Sequence, residues 1–169
     1  NARRSQKMLS LFYLDLDNFK DINDTMGHDI GDDFLIETAR RIEKCIRTSD
    51  LACRLGGDEF TILLTNINSE SDVVKVAKKL IDSVARTGAD AVKFQTYLTE
   101  KRVSKDSPIF DILKKCELPF ESFKELQIYA NKLNLDFFST PFDNESVEFL
   151  ERAVSTIKNA LELISDGIL

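Results

Sequence analysis

Four carboxylates in two short stretches are the residues of this chain best suited to chemistry. One pair is Asp58 and Glu59, in Arg54-Leu-Gly-Gly-Asp-Glu-Phe60, followed by the apolar run Thr61–Leu64. The other is Asp15 and Asp17, which close the apolar stretch beginning Leu11-Phe-Tyr-Leu. Two glycines between apolar segments mark a tight hairpin turn, because glycine takes positive φ without steric cost. If the two stretches are neighbouring strands, their acids meet at one edge of a sheet. Hard oxygen donors that converge without histidine suit Mg²⁺, which is held by one or two carboxylates together with substrate phosphates. The alternative is a hairpin whose acids are merely solvated.

The elements that must position these acids follow from apolar spacing and from turn residues. Asn1 to Met8 is polar and basic and reads as a frayed helix end or a tail. Leu9–Leu16 reads as a central strand, and Asn18–Asp24 as a short helix. Gly27 and Gly31 break the chain around His28. A helix over Gly31–Ile46 then places Leu35, Ala39, Ile42 and Ile46 on one face. Leu51–Leu55 and Phe60–Leu64 make the hairpin. Ser69 with Asp72 fits a helix start of capping-box type, and the helix over Asp72–Arg86 turns Val73, Ala77, Leu80, Ile81 and Val84 inward. Beyond Gly88 the pattern predicts a strand over Ala91–Tyr97, a polar loop over Thr99–Asp106 and a helical piece over Ile109–Cys116. A helix over Phe120–Asn134, a strand over Leu135–Thr140, and helices over Glu145–Ala153 and Val154–Leu169 complete it.

Bulk properties narrow the function. The chain has 169 residues, 43% of them hydrophobic and 31% charged, with twelve phenylalanines. That supports a real core in one compact domain or two very small ones. A net charge of −6 argues against a nucleic-acid-binding surface. It leaves nucleotides open, since a divalent cation mediates between acids and phosphates. Cys45, Cys53 and Cys116 form no Cys-x-x-Cys pair and read as reduced thiols of a cytoplasmic protein. The single His28 builds no zinc site. No apolar run approaches a membrane span and no signal peptide opens the chain. The first residue, Asn rather than Met, reads as the start of a processed or excised piece.

Gly56-Gly57-Asp58-Glu59-Phe60 resembles the signature of GGDEF domains, the diguanylate cyclases. The resemblance extends to Leu14-Asp-Leu-Asp-Asn-Phe-Lys-Asp-Ile-Asn-Asp-Thr-Met-Gly-His-Asp-Ile-Gly-Asp32 and covers about 1–85. It implies an enzyme that joins two GTP molecules, held on two facing domains, into cyclic di-GMP with Mg²⁺. Position by position it implies Asp15, the Leu16 carbonyl and Asp58 as metal ligands, with Glu59 as a further ligand or the base. Asn23 and Asp32 would read the guanine edge, and Phe19 and Lys20 would lie near the phosphates. Arg47-Thr-Ser-Asp50 stands where the family carries its inhibitory Arg-x-x-Asp motif, so Arg47 and Asp50 would grip cyclic di-GMP. Plainer roles are open too: Asp32 as a helix cap, Lys20 as a solvated charge.

After the helix over Asp72–Arg86 the family's next strand and its Lys- and Arg-bearing helix do not follow. The chain reads Gly88-Ala-Asp-Ala-Val-Lys-Phe-Gln-Thr-Tyr97 and later Phe137-Phe-Ser-Thr-Pro-Phe-Asp143 and Ser146-Val-Glu-Phe-Leu150. This resembles the sialic acid (N-acetylneuraminate) synthase family, a TIM barrel, over about 76–153. The resemblance places Lys93, Gln95, Ser139 and Thr140 at barrel strand ends, as vestiges without the family's metal-binding histidines. We therefore expect a recombined chimera, engineered rather than natural, of 1–86 and 87–169 in one compact domain. Its fold class is α/β (α+β), a ferredoxin-like half fused to a βαβ piece, in one mixed sheet of about five strands with helices packed on it. Ala91–Tyr97 would lie beside Leu9–Leu16. The expected function is weak binding of GTP with Mg²⁺, or of cyclic di-GMP, without native catalysis; the alternative is a diguanylate cyclase. Self-association is open, and no nucleic acid or membrane is expected as a partner.

Overall fold

Strands β1 (Met8–Leu14), β2 (Leu51–Gly56) and β3 (Glu59–Ile67) pair in the order β1-β3-β2 in a computed structural model of the chain that describes residues 8–153. Both pairings are antiparallel. β3 lies between the other two because its residues alternate most cleanly: Phe60, Ile62 and Leu64 are buried while Thr61, Leu63 and Thr65 are partly exposed. One face of this sheet meets α1 (Phe19–Met26), α2 (His28–Cys45) and α3 (Glu70–Ala85) through Phe19, Leu35, Ile42 and Val76. Truncating a residue as enclosed as Leu64 to Ala costs about 2–5 kcal/mol.

Two local expectations change here. The break before α2 is at Gly27, which takes φ +89°, and α2 runs straight through Gly31. Gly31 is buried inside the helix, so it serves close packing rather than a turn. Ser69 occupies the N-cap position of α3 but makes no side-chain cap; Asp72 instead accepts a hydrogen bond from the Asn68 N–H at 3.1 Å.

The chain divides into two compact units, Asn1–Thr87 and Gly88–Leu169. The second is built on β4 (Ala91–Thr96) and β5 (Asp136–Pro141), parallel and in register from Ala91↔Asp136 to Thr96↔Pro141. Between them run the single turn α4 (Thr99–Arg102), where a polar loop was expected, then α5 (Phe110–Cys116) and α6 (Phe120–Lys132). A helical stretch over 144–153 follows β5. The expected tail over 1–7 and helix over 154–169 lie outside the described residues. No described helix is long and apolar enough to cross a membrane.

The α/β class and five strands agree with the sequence; the single mixed sheet does not. β4 pairs with β5 in a second, two-stranded sheet, not with β1. The reason is that the β4–α6–β5 segment closes its own core. Phe94 stacks on Phe137 at 4.9 Å and Phe120 on Phe149 at 4.4 Å, with Phe123 edge-on to both Phe94 and Phe149. Such ring pairs contribute about 0.5–1.5 kcal/mol each beyond their buried area. The apolar side of β4 is thus satisfied within its own unit.

Candidate functional site

The β1–β3 register places the acids. Leu14 pairs with Phe60, so Asp15 leaves β1 at the same sheet edge at which Glu59 enters β3 and Asp58 fills the hairpin turn. Gly57, with φ +55°, closes that turn, and Arg54 Nε donates to its carbonyl at 2.9 Å. Asp58 and Glu59 are half-buried and Asp15 is exposed. Tyr13, two residues before Asp15 and on the same strand face, links the acids. Its phenol is held above its ordinary value, chiefly by the hydrogen bond to Glu59, with some burial and the charges of Glu59, Asp15 and Asp58 adding. The sequence reading missed Tyr13, although the two-residue period of a strand carries that signal.

Leu16 carries on into a tight turn in which Asn18 takes the left-handed conformation, and its carbonyl accepts a long bond, 3.4 Å, from the Phe19 N–H. Lys20 is exposed at the start of α1. Phe19 is buried and stacked on Phe34 with centroids 6.3 Å apart, so its ring belongs to the core and only its backbone faces the acidic edge region. Asn23 packs against Gly31, and Asp32 follows Gly31 on α2. Asp32 also lines a groove of about 370 Å³ between α2 and β2, together with Leu35, Ala39, Ala52, Arg54 and Phe60. The groove therefore connects Asp32 to the strand that leads into the acidic hairpin.

Mg²⁺ fits this edge only in shared form. Asp15, Asp58 and the Leu16 carbonyl are hard oxygen donors. Among the described residues no group of three or more His, Cys, Asp and Glu could hold a metal ion. Phosphate oxygens of a nucleotide would have to complete the coordination, which is how Mg²⁺ is commonly bound.

Arg47 and Asp50 are brought together, but by a structural job. Asp50 is buried; its carboxylate accepts the Arg47 N–H at 3.0 Å, the Thr65 N–H at 3.0 Å and the Thr65 hydroxyl at 3.5 Å. The Arg47 guanidinium is exposed and reaches Asp72 at 3.9 Å. In the second unit, Lys93, Gln95 and Thr140 share the exposed face of β4–β5, with Gln95 paired to Thr140. Ser139 lies on the opposite face, its hydroxyl 2.6 Å from that of Thr96. The loops after β4 and β5 are joined by Asp143, a tie absent from the sequence reading. It accepts from the Leu98 N–H at 2.7 Å, the Ser146 N–H at 2.8 Å and the Ser146 hydroxyl at 2.9 Å. Burial alone would raise its pKa, but these donors and Lys101 hold it below the usual carboxylate value.

Family models match both parts of this description. Residues 1–99 match "Diguanylate cyclase, GGDEF domain" and residues 80–164 match the NeuB family. The chain belongs to the GGDEF family in its first part and to the NeuB family in its second. Diguanylate cyclase TpbB of Pseudomonas aeruginosa is 42% identical over 84 residues, 50% of this chain and 19% of that protein. The uncharacterized protein MJ1065 of Methanocaldococcus jannaschii is 36% identical over 107 residues, 63% of this chain and 32% of that protein. The N-acetylneuraminic acid (sialic acid) synthetase structure from Leptospira borgpetersenii is 25% identical, with a TM-score of 0.46 over 62% of this chain and 39% of that one. The chain thus spans about a fifth to a third of the length of these two curated relatives.

Proposed function

We propose that the first unit is a GTP-binding remnant of a GGDEF domain that takes Mg²⁺ with its nucleotide, in a recombined chain that does not turn GTP over. The observation that carries this is the Leu14↔Phe60 register, which sets Asp15 beside Glu59 and Asp58. Asp15 and Asp58 would share Mg²⁺ with the triphosphate, with the Leu16 carbonyl beside them. When bound, the ion neutralises phosphate charge and lowers the pKa of a coordinated hydroxyl. Glu59, held by Tyr13, would orient that edge. Asn23 and Asp32 offer an amide and a carboxylate, a donor and acceptor set complementary to guanine. Arg47 has its guanidinium exposed for a phosphate, whereas Asp50 is committed to its own loop.

Weak binding without turnover follows from the same topology. In the family resemblance, the residues after α3 supply two cationic contacts to the triphosphate. Here that stretch leads into β4, which pairs only with β5. Each charged hydrogen bond lost removes about 1.5–3 kcal/mol. Lys93, Gln95, Ser139 and Thr140 are proposed as inherited scaffold. The three cysteines are free thiols, which supports a reducing, cytoplasmic setting. Incubation with GTP and Mg²⁺ followed by chromatography of the nucleotides tests the absence of turnover: GTP should be recovered intact. A second reading, an active diguanylate cyclase, is favoured by the intact Asp15, Asn23, Asp32 and Asp58 set. It predicts cyclic di-GMP that disappears on Asp58→Ala.

A further inference from the structure

The three-stranded sheet of the first unit ends on β1. This strand pairs with β3 along one side, and no other described strand pairs along its other side. Its irregularity is confined to the Met8–Ser10 end, so Ser10–Leu14 is an unbroken extended run. From Met8 to Leu14 the strand holds no charged residue and no proline. Edge strands are ordinarily blunted by such residues, by a bulge or by a cover, because an unpaired row of N–H and C=O groups templates a further strand.

We propose that a second copy of this chain pairs with β1, antiparallel, about a two-fold axis at Leu11, making one sheet of six strands from two three-stranded ones. Two features select this arrangement. Phe12 and Leu14 pack against the helices, so Leu9, Leu11 and Tyr13 share the other face, where Tyr13 is 58% exposed. Pairing about Leu11 sets Leu9 against the partner's Tyr13 and Leu11 against its own copy, an apolar ladder of the kind that stabilises sheets. It also sets Lys7, the residue before β1 in the sequence, opposite Asp15. A parallel pairing would instead align Asp15 and Asp17 with their own copies, which is repulsive. An isologous pairing of this kind closes at two chains and does not propagate. One short strand pair buries less than a standard interface, so the dimer forms at micromolar concentration.

Sedimentation velocity of the full chain from about 5 to about 200 µM reads the outcome. A rise from monomer to dimer mass is expected, with hydrogen exchange in the Ser10–Leu14 peptide slowing as concentration rises. Lys7→Asp should move the midpoint to about tenfold higher concentration, and Lys7→Asp with Asp15→Lys should restore it. Monomer mass throughout overturns the proposal, including the case in which β1 is protected at every concentration by another part of its own chain. A dimer whose β1 exchange ignores concentration, or whose midpoint ignores Lys7→Asp, overturns it as well.

Discussion

Asn23 lies against Gly31 so closely that a Cβ at position 31 would collide with its Oδ1 and crowd its Cγ at 3.0 Å. This contact sets how α1 meets α2 and where the Asn23 amide points relative to Asp32. Gly31→Ala should therefore separate stability from binding. Alanine gains about 1 kcal/mol of helix propensity, and displacing Asn23 offsets it. Urea unfolding should change by less than about 1 kcal/mol. The rise in melting temperature on adding GTP with Mg²⁺ should disappear.

Asp50 is the most heavily used carboxylate of the first unit. Removing it strands the N–H groups of Arg47 and Thr65. Asp50→Ala should destabilise by about 2–4 kcal/mol. Arg47→Ala, at an exposed guanidinium paired only loosely with Asp72, should cost under about 1 kcal/mol. Denaturation of the two variants side by side checks the contrast.

Acid should loosen the second unit through Asp143. Its folded pKa is depressed, so its contribution is present above the unfolded carboxylate value and is lost as pH falls through the folded one. Exchange of the Leu98 and Ser146 amides should accelerate below about pH 4. In Asp143→Asn that acid-dependent step should be absent, on a less stable background.

Tyr97 predicts an alkaline counterpart. Burial, with Cys116 and Glu117 adding and Arg102 opposing, pushes its phenol up to about 12, and its hydroxyl donates to the Leu113 carbonyl at 3.1 Å. A raised folded pKa stabilises fully below the unfolded value and stops doing so as pH climbs through the folded one. Absorbance titration should show a late phenol that Tyr97→Phe removes.

Much of this was legible in residue spacing. Gly56-Gly57 between apolar runs announces the β2–β3 hairpin, and the two-residue alternation of β3 announces its central, half-buried place. The three- and four-residue spacing of Leu35, Ala39 and Ile42 announces the buried face of α2. Gly31 was misread because a glycine that breaks a helix and one that admits a neighbour look alike in sequence. Sheet membership was not legible. The apolar alternation of β4 specifies a partner strand but not which one, and the phenylalanine cluster that decides it comes from residues far apart in sequence. The role of Asp50 was hidden for a similar reason: its partner Thr65 is 15 residues away, across the hairpin.

Calorimetric titration of GTP, in the presence of Mg²⁺, into the chain and its Asp58→Ala variant tests most directly whether the acidic edge holds a nucleotide. Saturable binding that weakens at least about tenfold in the variant is the predicted result. No heat of binding, or equal binding by both proteins, would contradict it.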